Sequence, residues 1–308
     1  MTHRAEPSTA RSPAIEGSAV AVVVASATVW WLSGAGPPAP AAARMLADGA
    51  AVCVLGFAVI PFLSRDPLRT VLRGRAQPLL RVATPLWLVA EIGRLLVMAG
   101  QAAGVPAHRL PSSVWWLYAT ATDTGRATLV AAAAAAGCLL LLAHRRTGAV
   151  IAGLAALGLA ARAWAGHTAA TPAGVATIAV HAVAAGLWCG GLLALAMTVR
   201  HRDEWARVLP GYARLALAAV LVLSVSAVIG ATLVLPSWSA LWDTGYGRVL
   251  SVKTALMVAL VLIGWRQRTR WVPAAQVMAA ASSHRRAVGE VAVLASALMA
   301  AAILAMTG

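Results

Sequence analysis

The sequence predicts an all-α polytopic membrane protein with about nine transmembrane helices. Of its 308 residues, 60% are hydrophobic and only 11% are charged, which is too apolar for one or two soluble domains. The apolar residues fall in long runs, and about 20 helical residues suffice to cross a bilayer. Short segments that carry arginine separate these runs.

Nine apolar runs give the predicted spans: 18–33, 45–63, 80–103, 125–143, 148–163, 172–199, 209–235, 248–265 and 287–306. The first run follows a basic segment and could be a signal peptide. Its final tryptophans, Trp30 and Trp31, suit an interfacial belt and favour a retained helix. We therefore expect a cytoplasmic tail (1–17), an extra N-terminal helix with a linker (18–43), and two larger units (44–165 and 166–308).

The arginines give the predicted orientation. With the N-terminus inside, the cytoplasmic segments hold 17 arginines, whereas the outer segments hold five: Arg44, Arg109, Arg126, Arg162 and Arg248. Because basic residues concentrate in short cytoplasmic loops, this bias predicts a multi-pass plasma-membrane protein with its C-terminus outside.

The two larger units share a repeated motif. The first copy runs from Leu110 to Arg126 and the second from Leu235 to Arg248; each has Leu-Pro-Ser, two tryptophans and Asp-Thr-Gly before an arginine. Both copies precede a span that runs from outside to inside. The sequence thus predicts a parallel 4+4 helix repeat, with the Asp-Thr pairs as helix N-caps.

Composition and motifs exclude several functions. The net charge of +15 comes from arginines in short loops. We therefore interpret these arginines as determinants of membrane orientation and do not expect a nucleic-acid partner. The three cysteines lie in apolar runs without a CxxC pair, which makes a disulfide framework improbable. No phosphate-cradling loop, GxSxG, HExxH or CxxCH motif occurs, so we do not expect an enzyme.

The predicted site is centred on His181. It lies in the span 172–199, about nine residues from its predicted outer end and thus about 14 Å deep. A histidine inside a membrane usually faces a partner helix or a ligand. A structural histidine bonded to a neighbouring helix and a functional one are both compatible with this position.

Other residues of the predicted outer half could join His181 as ligands. His167 lies in the preceding outer loop, Asp48 and Met45 near the outer end of span 45–63, and Cys189 two turns beyond His181. Imidazole, thioether and thiolate are the ligands expected for Cu(I) rather than Cu(II).

One intramembrane ion pair is also predicted. Glu91 and Arg94 are three residues apart in span 80–103 and should meet on one helix face. A structural pair is the simpler interpretation, and an ion or proton relay is the other.

These motifs resemble the copper resistance protein D family of bacterial inner-membrane proteins. The resemblance rests on Gly166-His167, His181 with Trp188-Cys-Gly-Gly191, Tyr212-Ala-Arg214-Leu, and the segment from Leu235 to Arg266. The extra first helix and its Pro-rich linker look like actinobacterial members. In one departure, relatives often place a further histidine where this chain has Ala170-Thr171-Pro172.

The resemblance implies copper transport or resistance at the plasma membrane, usually described as import toward the cytoplasm. Copper would bind to this protein transiently. The expected partner is an extracellular copper carrier or an oxidase-assembly protein. On this basis His181 and His167 are the primary candidate ligands, and Asp48, Met45 and Cys189 are weaker ones. A haem-binding or cytochrome-oxidase-assembly membrane protein is the alternative, although bis-histidine haem needs a second deep histidine. A non-transporting scaffold is a further possibility.

The predicted topology can be tested with reporter fusions. A reporter after Gly148 should be cytoplasmic and a reporter after Gly308 external. The arginine bias gives this orientation, and an odd number of predicted spans lies between the two positions. Reporters on the same side would contradict nine spans.

Overall fold

The computed structural model describes residues 38–143, 148–165 and 171–234, together with Val258. Throughout these ranges the ordered elements are helices, and no strand occurs. The predicted all-α fold class is therefore confirmed for the part of the chain that is described.

Seven α-helices make up this part. They are α1 (Pro38–Val59), α2 (Leu68–Ala103), α3 (Ser112–Ala121), α4 (Asp123–Ala143), α5 (Gly148–Ala161), α6 (Pro172–Thr198) and α7 (Arg202–Val234). Three short 3-10 helices extend or connect them: Ile60–Leu63 after α1, Ala107–Arg109 before α3, and Arg162–Trp164 after α5.

Five described helices are long and apolar enough to cross a membrane: Ala42–Leu63, Leu68–Ala103, Asp123–Ala143, Pro172–Thr198 and Arg202–Leu233. Gly148–Trp164 is a shorter apolar helix. These six correspond to the predicted spans two to seven. The first, eighth and ninth predicted spans, and with them the second copy of the repeated motif, lie outside the described residues.

Three helices begin earlier than predicted. α1 begins at Pro38, inside the predicted linker, instead of residue 45; α2 begins at Leu68 instead of 80, and α7 at Arg202 instead of 209. A fourth difference is α3, which was not predicted at all. At 36 residues, α2 is roughly 54 Å long and exceeds the hydrocarbon thickness. A hydropathy criterion detects only the apolar part of such a helix, so arginines assigned to the inner loop, such as Arg73 and Arg75, are helical.

The sides of the helix bundle expose apolar residues. Val82, Leu86 and Val89 are exposed along α2, and Leu221, Val225 and Val228 along α7. Contiguous exposed hydrophobic faces of this kind are unusual on soluble monomers. Together with the five spans, they fit a multi-pass protein in a lipid bilayer.

The Asp-Thr-Gly-Arg motif closes the turn between α3 and α4. The predicted cap was the Asp-Thr pair, but the capping hydroxyl belongs to Thr122, which accepts the backbone N–H of Gly125 at 2.9 Å. Gly125 itself allows the backbones to touch, since a Cβ there would collide with the Tyr118 carbonyl. Arg126 then donates to the Thr120 carbonyl at 2.7 Å.

Helix α1 holds the bundle together, because it packs against α2, α5 and α6. Its closest approach is to α6, at Gly56 and Gly190. A Cβ on Gly56 would collide with the Gly190 carbonyl, and a Cβ on Gly190 with the Val52 carbonyl. One turn away, Gly186 accommodates Leu55 of α1 and Leu159 of α5. Small residues therefore let these helices pack backbone to backbone.

A second contact lies at the predicted cytoplasmic end of the bundle. Arg75 of α2 forms a bidentate salt bridge with Glu204 of α7, with two hydrogen bonds of 2.8 and 2.9 Å. Arg75 also donates to the last carbonyl of α6, that of Thr198, at 2.8 Å. Glu204 accepts the backbone N–H groups of Arg200 and His201. This clamp satisfies both helix ends at the α6–α7 turn.

The crossing of α1 and α6 can be tested with matched alanine substitutions. Gly56→Ala should destabilise the fold by about 1–3 kcal/mol, since the added methyl group has only backbone to displace. Gly49→Ala on the same helix should be neutral, because no described atom lies within 4 Å of its Cβ position. The measurement is the yield and thermal unfolding midpoint of detergent-purified protein. Equal behaviour of the two variants would contradict the crossing.

Candidate functional site

His181 lies on α6 and contacts α7. Its Nδ1 atom is 2.9 Å from the hydroxyl oxygen of Ser226. Ser226 is buried, whereas His181 is exposed, and Trp188 two turns further along α6 is buried. His181 and Trp188 are seven residues apart and so lie on the same side of α6, but they differ in burial.

The Ser226 hydroxyl oxygen also lies 3.1 Å from the Leu223 carbonyl of its own helix, to which it can donate. In the tautomer of His181 that carries its proton on Nδ1, the imidazole donates to Ser226.

A second contact aligns α7 on α6 nearer the predicted cytoplasmic end. Tyr212 donates its hydroxyl hydrogen to the Trp188 carbonyl at 3.0 Å. Gly191 leaves room for this ring, since a Cβ there would lie 3.0 Å from Tyr212 Cε2. With α7 fixed at this level, Ser226 reaches the level of His181.

The remaining candidate ligands lie in different surroundings. Met45 is half-buried near the start of α1, and Cys189 is half-buried against the hydrophobic core. His167 lies outside the described residues. Within the described ranges, no three His, Cys, Asp or Glu side chains come together. The ligand set therefore stays a prediction.

Asp48 belongs to a cluster of charged side chains. Its Oδ1 atom contacts Nε of Arg162, and its Oδ2 atom lies 3.6 Å from Nε of Arg44. Two guanidinium groups thus neutralise this carboxylate. Asp48 is consequently a poorer ligand for a cation than an unpaired carboxylate at the same position would be.

The same arginine also reaches Glu91 of α2. Arg162 donates Nη2 to Oε1 at 2.5 Å and Nη1 to Oε2 at 3.3 Å. Trp87 donates its indole N–H to Oε1 at 2.9 Å. Gly158 makes room for that indole, because a Cβ there would lie 2.8 Å from Trp87 Cη2. Arg162 therefore links α1, α2 and the end of α5.

The predicted partner of Glu91 is the weaker one. Arg94 Nη1 is 3.8 Å from Glu91 Oε2, which is an ion pair without a hydrogen bond. We define the arginine–carboxylate network as Arg44, Asp48, Glu91, Arg94 and Arg162. Its members at the centre are almost fully buried: side-chain exposure is 0% for Glu91, 5% for Arg94 and 7% for Arg162.

Sequence reasoning missed Arg162 because it counted this residue as an outer-loop charge. Arg162 and Glu91 are 71 positions apart, and no local spacing links them. One signal was present: Arg162 directly follows an unbroken apolar run and lies inside the predicted span 148–163. A charge in that position usually pairs inside the bundle.

These features define a polytopic helical membrane protein that holds a histidine and an ionic network within its spans. Residues 37–178 match the family model for the copper resistance protein D-like N-terminal domain, and residues 206–308 match that for copper resistance protein D. The chain belongs to the copper resistance protein D family, as its motifs predict. It is therefore a copper resistance membrane protein. No curated protein and no solved structure matches it.

The role of Glu91 can be tested by removing its charge. Glu91→Gln leaves Arg162 and Arg94 without their shared carboxylate, and breaking a buried pair costs ~3–5 kcal/mol. We expect a strong loss of folded protein in membranes. Asp123→Asn is the control, since Asp123 pairs with Arg126 at the same i,i+3 spacing but is 74% exposed. Normal yield of Glu91→Gln with loss of copper transport would instead indicate a relay.

Proposed function

We propose that this protein carries copper across the plasma membrane toward the cytoplasm, with His181 as the central ligand. The observation that carries the proposal is the pair of family matches, which cover both halves of the chain. Copper is the transported substrate, and no covalent bond of an organic substrate is made or broken.

The contacts of His181 support a role in binding Cu(I). Imidazole is a ligand for copper, and its second nitrogen usually donates to an oxygen that fixes the ring. Ser226 provides such an oxygen at 2.9 Å. Copper ligation through Nε2 would leave this hydrogen bond in place, so Ser226 acts as a positioning residue.

The proposed path begins at the outer side. Copper from an extracellular carrier meets His167 first and then His181, because His167 precedes α6 and His181 lies about 14 Å along it. Met45 and Cys189 are secondary candidates, since thioether and thiolate suit Cu(I). Asp48 ranks last, since Arg162 and Arg44 already neutralise it. With few ligands, binding is weak enough for copper to move on.

In this proposal His181 is the one strong ligand at its level of the bundle. A site with one strong ligand exchanges its ion quickly, which favours transfer between successive sites over storage. Passage inward then requires helix rearrangement or ligand exchange. Because the clamp between Arg75 and Glu204 ties α2 to the α6–α7 turn, it must be maintained or reformed during such a rearrangement.

Two serines on α7 provide a matched test. His181→Ala should nearly abolish copper accumulation by cells that express normal amounts of protein. Ser226→Ala should lower copper affinity about 10-fold, the usual effect of removing a group that orients a ligand. Ser224→Ala should have no effect, because the Ser224 hydroxyl donates to Val220 within its own helix.

The measurements are cellular copper content and Cu(I) binding by purified protein. An optical spectrum of the same sample tests the haem alternative, which requires a Soret band. Unchanged copper uptake in His181→Ala would leave His181 with the structural role of joining α6 to α7. Equal effects of the two serine substitutions would contradict the positioning role of Ser226.

A further inference from the structure

Arg94 is a buried arginine whose donors are largely unmatched. Its side chain is 5% exposed. Two of its nitrogen atoms, Nε and Nη1, are inaccessible to solvent and have no hydrogen-bond partner in the described part of the chain. The nearest acidic group is Glu91, at 3.8 Å.

The carboxylates of the network are already engaged by other donors. Both oxygens of Glu91 accept from Arg162, and one also accepts from Trp87. Asp48 faces Arg162 and Arg44. The network contains three arginines and two carboxylates, so its formal net charge is +1.

An excess guanidinium inside a membrane protein is costly. Arginine does not give up its proton in proteins, so it cannot become neutral as a buried lysine or histidine can. A buried charge without a hydrogen-bonded partner is among the most destabilising features of a fold. One additional negative charge next to Arg94 would both neutralise the network and accept the unmatched N–H groups.

We propose that Arg94 and the surrounding network bind a small monovalent anion of the halide class, with chloride as the occupant in chloride-containing media. The burial of Arg94 restricts the occupant to a small ion and excludes a lipid headgroup. A cavity of about 280 Å³ lies at the same end of α2, lined by residues that include Val97 and Gln101 of α2 and Pro40 of α1. Val97 is one turn from Arg94, so this cavity lies about one helical turn beyond Arg94 toward the predicted outer side.

The experiment uses full-length protein in a non-ionic detergent, first exchanged into chloride-free gluconate buffer. Adding chloride or bromide at constant ionic strength should raise the thermal unfolding midpoint by about 2–4 °C at saturation, since a ligand that binds only the folded state stabilises it. Gluconate and inorganic phosphate should not produce this saturable shift. In parallel, the chloride NMR line should broaden in the presence of protein and sharpen again when bromide competes.

Two substitutions connect the effect to Arg94. Arg94→Met should remove the chloride-dependent shift and the line broadening, while in chloride-free buffer it should unfold at or above the wild-type temperature because it removes the excess charge. Arg126→Met is the control; Arg126 has the same i,i+3 relation to an acidic residue but is 62% exposed, and the response should persist.

The outcomes that overturn the proposal are equally specific. A shift of the same size when the gluconate concentration alone is raised would reduce the effect to ionic strength, and a shift with phosphate alone would indicate an oxyanion site. Persistence of the halide response in Arg94→Met would place the ion elsewhere. Should Arg94→Met fail to fold, an unbroadened chloride line in the wild-type protein still refutes the site. None of these readouts depends on copper.

Discussion

The backbones of α1 and α6 touch where Gly56 meets Gly190, and the positions of the other described helices depend on this contact. Side chains larger than hydrogen at either residue would separate the two helices. Within the bilayer no water is expelled when apolar helices associate, so close van der Waals packing provides much of the attraction. Since α1 also packs against α2 and α5, the crossing places the helix of His181 beside the helices that carry Asp48, Glu91 and Arg162.

Ion pairs between charged side chains then join the helices that pack through their small residues. At one end Arg162 joins Asp48 of α1 to Glu91 of α2, and at the other Arg75 joins Glu204 of α7 to the last turn of α6. The two contacts differ in their surroundings. Glu204 also accepts two backbone N–H groups, and the side chains of the pair are 20% and 9% exposed. The centre of the arginine–carboxylate network is nearly inaccessible to solvent, so water cannot compensate its charges and neighbouring groups or a bound ion must do so.

The sequence was sufficient for features that follow from local patterns. Long apolar runs specify six of the described helices, and His181 with its flanking glycines marks the helix contacted by α7. Helix ends were less predictable, because the first turns of α2 contain several arginines and Pro78, and such residues remove the apolar signal on which a hydropathy criterion depends. The main ionic contact was missed for a different reason. Arg162 pairs with Glu91 only through tertiary packing, whereas the nearby Arg94 satisfies the i,i+3 rule and yet makes the longer contact.

The network and His181 both lie toward the same end of the bundle. Gly186 of α6 packs against Leu55 of α1; from that level Asp48 is seven residues and His181 five residues toward the predicted outer end, or about 11 and 8 Å along their helices. His181 therefore lies at a depth similar to that of a network whose own charge is +1. If both proposals hold, an anion beside Arg94 would remove this charge, and with it the repulsion of a cation that enters at the same depth.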